Sequence, residues 1–410
     1  MTRPARNTIA LALIAAALGG CGSTPGYGID RSRFAAVDSV LQAAVRNGDV
    51  PGAVALITSR DSILYHKAFG ALDPSGPLPM TLDAIFPIQS MTKPVTSLGI
   101  MVLVQEGKVD LDAPASRYLP ELAGREVLVR VDSAERSAVT RPAAREVTIR
   151  DLLRHTSGIA YPFSSNEALA LARHTNLRDR AFPLLHDPGT RWTYGMSTAH
   201  LGWIIEGVTG MPLREFYQAR IFGPLGMSTT SFSLPKTSAA RLAAVYRRQN
   251  GKLHATPRPD SVHFDGRGDG GLHSTAEDYA RFVQLILGNG ARAGVRLLDS
   301  VWVREMTRDQ LEGLAVALQP GANPALSEAF PLGAGDDGFS LGFQVTRTAG
   351  PDGRSAGSLS WAGLANTHFW IDPGSGIGVI LLFQVLPFYD ARVIATLRRV
   401  ERAIYGRSEP

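Results

Sequence analysis

The feature that most limits what this chain can fold into is the placement of its strand-like runs. "GAVALIT" and "SILYHKAFG" lie near the start, around an "SRDS" stretch that reads as a hairpin turn. Comparable runs return only after about residue 338, in "FSLGFQVTR", "NTHFWID" and "GIGVILLFQ". The stretch between has helical periodicity in "VTSLGIMVLVQEG", "TIRDLLRH", "MSTAHLGWIIEGVTG", "LREFYQARIFG" and "AEDYARFVQLILG". A first helix is expected in "DRSRFAAVDSVLQAAVRNG" and a last one in "YDARVIATLRRVERAIYG". This order predicts an α+β fold: one antiparallel sheet built from both chain ends, with flanking helices and a mainly helical inserted subdomain. The sheet part is expected at about 30–88 and 338–407, and the helical part at about 89–337. A reactive site would lie in the cleft where the two parts meet.

Composition agrees with a folded globule. Of 410 residues, 44% are apolar and 19% charged, which argues against intrinsic disorder. The formal net charge of +5 is spread along the chain. Without a basic stripe interleaved with aromatics, no nucleic-acid partner is expected. No histidine pair has metal-ligand spacing, so no metal or other cofactor is expected.

The N-terminus reads as an address. "MTRPARN" carries Arg3 and Arg6, and an apolar run from Ile9 to Leu18 follows. A basic start, a short apolar run and small residues make a secretory signal, here 1–20, and the run is too short to span a bilayer. "LGGC" resembles a bacterial lipobox. The resemblance implies cleavage before Cys21, the only cysteine, and lipid attachment to its thiol. Residues 21–29 would then tether a domain spanning 30–407. The expected location is the cell envelope, membrane-anchored through Cys21, with Gly22 favouring the outer membrane or periplasmic face.

"FPIQSMTKPVTS" carries the chemistry. Ser90 and Lys93 stand three apart where a strongly apolar helix begins, so they share a face. Pro94 fits a first helical turn. Free N–H groups and the positive dipole end at a helix start favour the negative charge of acyl transfer. Lys93 acts as a base only when neutral. Half-neutrality near pH 7 requires its pKa to fall by ~3 units, or ~4–5 kcal/mol, which burial supplies. The same serine–lysine spacing recurs in "SLPK", Ser233 to Lys236, but in a polar loop with no clear helix after it.

Further segments set this one in context. "VTIRDLLRHTSGI", "DPGTRWTYG", "GPLGMSTTSF", "GGLHSTAEDYARFVQLILGNG" and "SWAGLANTHFWIDP" follow it in order. Together they resemble the serine β-lactamase-related superfamily, in particular its class C-like and family VIII esterase branch, over about residues 34–404. The resemblance implies an acyl-enzyme mechanism on a penicillin-binding-protein fold. It also implies that Tyr194 joins Ser90 and Lys93 and relays the proton to the leaving group. The family's lysine–threonine–glycine triplet corresponds to Trp361, Ala362 and Gly363. The oxyanion hole would be the backbone N–H groups of Ser90 and Leu364. Trp361 offers no charge to a substrate carboxylate, and Met196 stands where the β-lactamases carry an asparagine. Trp361, Gly363 and Met196 are therefore the expected substrate-binding residues, in a site suited to small esters or amides and best to carboxylic esters.

Three rivals stand beside this reading. One is β-lactamase or D-Ala-D-Ala peptidase activity on the same residues. Another is a non-catalytic envelope-binding protein with a penicillin-binding fold. The third takes Ser197, in "GMSTA" after a β-rich "RWTY", as the nucleophile elbow of an α/β-hydrolase. Strands clustered at the chain ends argue against the last. His155 and His273 read as structural, with His273 near the cleft.

Overall fold

A computed structural model describes residue 1 and residues 30–73, 78–264 and 266–408. The lipobox and Cys21 fall outside the described residues. Among the described residues, no helix is long and apolar enough to cross a membrane.

Seven strands form the main sheet: β1 (Gly52–Ser59), β2 (Ile63–Gly70), β3 (Gly338–Phe339), β4 (Gln344–Val345), β5 (Leu359–Gly363), β6 (Thr367–Asp372) and β7 (Ile377–Leu382). They run in the order β3-β4-β5-β6-β7-β1-β2. Every pairing is antiparallel. The first hairpin is thus stitched to the C-terminal strands through β1 and β7, with Leu56 opposite Ile380. Because helices cover both faces of the sheet, β1 is buried along its whole length rather than in alternation.

On one face, α1 (Phe34–Arg46) and α5 (Ala391–Tyr405) bury Val37, Leu41, Val393, Leu397 and Val400 against Ala55, Val379 and Leu381. On the other face lie α2 (Thr92–Gln105), α3 (Ser197–Thr209) and α4 (Ala276–Leu287), inside the larger core. α4 approaches the sheet closely. A Cβ on Gly378 would come within 2.1 Å of Val283 Cγ1, so only glycine fits there.

Helix α2 is buried on every side from Thr92 to Val104, its polar Thr92, Lys93, Thr96 and Ser97 included, as expected of a helix inside a large core. A 3₁₀ turn, Gln89–Met91, leads into it, and Pro94 sits in the first α-helical turn.

The middle of the chain is less uniformly helical than the sequence suggests. Glu126–Asp132 pairs with Ser137–Pro142, and Tyr246–Gln249 pairs with Lys252–Ala255. The first carries Val127, Leu128, Val129 and Val131, an apolar strand pattern inside the stretch expected to be helical, whereas the second is largely polar. A short helix, Lys236–Ala239, also follows "SLPK". "RWTY" forms no strand, so Ser197 begins a helix without the strand that a nucleophile elbow needs.

Candidate active site

The segment before α2 is held from three sides. The Ile88 N–H donates to the Leu272 carbonyl at 2.9 Å. The Tyr279 hydroxyl, on α4, donates to the Met91 carbonyl at 3.0 Å. The far end of β5 presses on Ile88, where a Cβ on Gly363 would meet the Ile88 carbonyl oxygen at 2.3 Å. Gln89 adopts a positive φ of 44°, a costly conformation for a non-glycine residue, immediately before Ser90.

Ser90 is half-buried, and its Oγ is met by two groups. The Tyr194 hydroxyl donates to it at 2.7 Å, and Lys93 Nζ lies at 3.1 Å. Ser90, Lys93 and Tyr194, 104 positions apart at the extremes, therefore converge on one oxygen. Tyr194 reaches it because Gly195 packs directly on the chain at 159–160. A Cβ there would lie 2.0 Å from the Ile159 carbonyl oxygen.

Lys93 is only 2% exposed. Loss of hydration lowers its pKa to about 7, with Asp269 pulling upward and Arg267 pushing downward. Nζ also donates to the Asp269 carbonyl at 2.7 Å and to the Tyr161 hydroxyl at 3.2 Å. The same burial raises the pKa of Tyr194, a rise its bond to Ser90 partly offsets. Burial, followed by the charge of Asp269, also holds Tyr161 well above the ordinary tyrosine range. Both tyrosines are therefore neutral donors wherever Lys93 titrates.

Neither Tyr161 nor Asp269 was among the residues expected from sequence. Tyr161 follows "HTSGIA", and Asp269 lies within the glycine-rich "GRGDGG". The only sequence signal was that such glycines permit close approach. A Cβ on Gly268 would come within 2.4 Å of the Thr198 carbonyl oxygen, so the loop lies directly on α3.

The other expected residues fall as follows. Trp361 is buried, its ring centroid 5.1 Å from that of Tyr194, in a wall with Trp192, Phe330 and Phe339. Gly363 ends β5, and Leu364 follows it, half-buried. Met196 is buried in the core at the start of α3, and its carbonyl bonds His200 Nδ1 at 3.1 Å. Ser197 is fully buried and bonded to the Ser157 hydroxyl at 2.8 Å. The Ser233 hydroxyl is engaged with the Phe264 carbonyl at 3.1 Å.

His155 packs against Tyr194 with ring centroids 5.1 Å apart, and burial keeps it neutral, well below the usual histidine pKa. His273 pairs with Pro87 just before the Ser90 turn, and burial lowers its pKa to about 4. A cavity of about 280 Å³ shares Phe330 and Trp361 with the aromatic wall but reaches none of Ser90, Lys93 or Tyr194. Among the described residues, no group of three His, Cys, Asp or Glu side chains is placed to hold a metal ion.

Sheet, helices and relatives together define a serine hydrolase of the esterase-like, acyl-enzyme kind. The beta-lactamase family profile matches residues 37–403, and the chain belongs to that family. Protein Rv1367c of Mycobacterium tuberculosis is 35% identical over 372 residues, covering 84% of this chain and 90% of its own. The lovastatin esterase of Penicillium rubens is 30% identical over 392 residues, covering 89% and 96%. Among solved structures, the simvastatin synthase LovD of Aspergillus terreus superposes with a TM-score of 0.79 at 26% identity, covering 91% of this chain and 98% of that one.

The contact between Gly363 and Ile88 makes one position diagnostic. Gly363→Ala drives a methyl group into the backbone two residues before Ser90. A displacement of this size is expected to lower kcat by about 10²-fold. Steady-state kinetics on a p-nitrophenyl ester will show the loss, with an unchanged far-UV circular dichroism spectrum.

Proposed function

We propose that Ser90 is the nucleophile of a carboxylesterase, with Lys93 as general base and Tyr194 as the proton relay to the leaving alcohol. The observation that carries this reading is the convergence of Tyr194 and Lys93 on the Ser90 oxygen, at 2.7 and 3.1 Å. Neutral Lys93 takes the Ser90 proton as Oγ attacks the ester carbonyl. Tyr194, kept protonated by burial, gives its proton to the departing alcohol and is reprotonated through Lys93. Water then repeats the sequence on the acyl-enzyme. The backbone N–H groups of Ser90 and Leu364 hold the oxyanion.

Ser90→Ala is expected to abolish ester hydrolysis and labelling by a fluorophosphonate. Ser197→Ala and Ser233→Ala retain much of both. Lys93→Ala and Tyr194→Phe each lower kcat by ~10²-fold or more, with smaller changes in KM. The active form of Lys93 is the neutral one, which forms above its pKa. In the wild type, kcat/KM therefore rises with pH on the acid side and levels off above about 7. Activity that survives in Ser90→Ala but not in Ser197→Ala would move the nucleophile to Ser197.

The substrate class follows from the walls. Trp192, Phe330 and Trp361 pack on Tyr194, with Phe339 behind Trp192 and Trp361, and none offers a cation to a carboxylate. Met196 adds no amide. Each missing charge-assisted contact is worth ~1.5–3 kcal/mol. Neutral short- to medium-chain esters should therefore exceed a chromogenic cephalosporin in kcat/KM by at least ~10²-fold. Comparable rates on the two would return the protein to β-lactam cleavage.

The leader supports export and lipid attachment at Cys21 in the cell envelope, through "LGGC". Labelled palmitate should enter the wild-type chain and not Cys21→Ser. Equal labelling of both would remove the anchor.

A further inference from the structure

A neutral lysine has two N–H donors and one lone pair. Lys93 Nζ has three oxygen neighbours: Asp269 carbonyl at 2.7 Å, Ser90 Oγ at 3.1 Å and Tyr161 hydroxyl at 3.2 Å. The carbonyl only accepts, so it takes one N–H. Whether the lone pair faces Ser90 is then decided at Tyr161. If the Tyr161 hydrogen points at Lys93, it takes the lone pair. If it points away, Tyr161 accepts the second N–H, and the lone pair is left for Ser90.

The Tyr161 hydroxyl is also bonded to Asp269 Oδ2. That carboxylate is fully buried, and its other oxygen accepts from Arg267 Nε. The loop carrying it is fixed to α2, since Thr96 Oγ1 donates to the Gly268 carbonyl and the Leu272 N–H donates to Thr92 Oγ1 at 3.3 Å. We propose that Asp269 is a positioning residue: by taking the Tyr161 proton it makes the Tyr161 oxygen an acceptor for Lys93, and so reserves the lysine lone pair for Ser90. This rests on the reading of Lys93 as the base.

Charge enters as well. The ionisable and charged groups facing Lys93 are Tyr161, Tyr194, Asp269, Arg267 and His155, of which the tyrosines and the histidine are neutral. Asp269 is the one that favours the protonated amine.

Asp269→Asn tests the orientation. Arg267 Nε holds the oxygen of the new side chain, which turns its NH₂ towards Tyr161. The Tyr161 proton is then driven onto Lys93, and the lone pair is lost to Ser90. At saturating substrate and plateau pH, Asp269→Asn is expected to lower kcat by about 10²-fold and Tyr161→Phe by only about tenfold. The double variant should be no slower than Tyr161→Phe, because no phenolic proton remains to be misdirected. A merely structural role would give additive losses instead. The acid limb of kcat/KM should also fall by roughly one pH unit in Asp269→Asn, since a negative charge beside the lysine is removed. A double variant as slow as Asp269→Asn, or Asp269→Asn with wild-type kcat, overturns the proposal. Should Asp269→Asn lose its circular dichroism spectrum, Tyr161→Phe carries the test, and wild-type kcat there overturns it. A wild type without an acid limb near pH 7, or an active Lys93→Ala, defeats the base reading instead.

Discussion

The burial of one ammonium group governs the rest of this structure. Lys93 is enclosed on a buried helix, and a charge placed there loses its hydration. The protein answers with a carbonyl, a phenol and a serine hydroxyl rather than a carboxylate in direct contact. A carboxylate touching Nζ would hold the lysine protonated. The Asp269 carboxylate stands one bond further away, behind Tyr161, while its own backbone carbonyl meets Nζ. The depressed pKa is thus a property of the whole enclosure.

That enclosure needs parts from distant stretches of chain. The 3₁₀ turn before α2 supplies Ser90 and the first turn of α2 supplies Lys93, while Tyr161, Tyr194 and Asp269 arrive on three separate loops. The sheet makes this meeting possible. Pairing β1 with β7 closes the two chain ends, and α2, α3 and α4 between them lie on one face. β5 then lies beside the Ser90 turn, and Gly363 permits contact at backbone distance. Fold and site share a single constraint, the closure of the sheet.

How far the sequence disclosed this depends on the range of each interaction. Ser90 and Lys93 were legible because three residues on a helix are neighbours by geometry alone. The strands β1, β2, β6 and β7 were legible because they are apolar runs. Tyr194 was reached only through resemblance, since a tyrosine beside Trp192 reads equally well as core. Tyr161 and Asp269 were missed because nothing local marks them. They act 68 and 176 positions from Lys93, and a loop of glycines gives no hint of which neighbour it will touch. Of the two surface hairpins, Tyr246–Gln249 with Lys252–Ala255 is too polar to leave a pattern, whereas Val127, Leu128, Val129 and Val131 do mark a strand and were overlooked.

One physical cause gives the two proton-handling groups their different characters. Low dielectric disfavours charge of either sign. It therefore lowers the pKa of Lys93 and raises those of Tyr194 and Tyr161. In water the two residue types titrate close together, near 10. Inside this site they separate, the amine losing its proton near neutrality and the phenols keeping theirs. A polar pocket would leave both protonated at neutral pH, with a proton donor but no acceptor. Trp192, Phe330, Phe339 and Trp361 form a buried aromatic wall on one side of the site. Packed around Tyr194, it is part of the enclosure that keeps this phenol buried and its pKa raised.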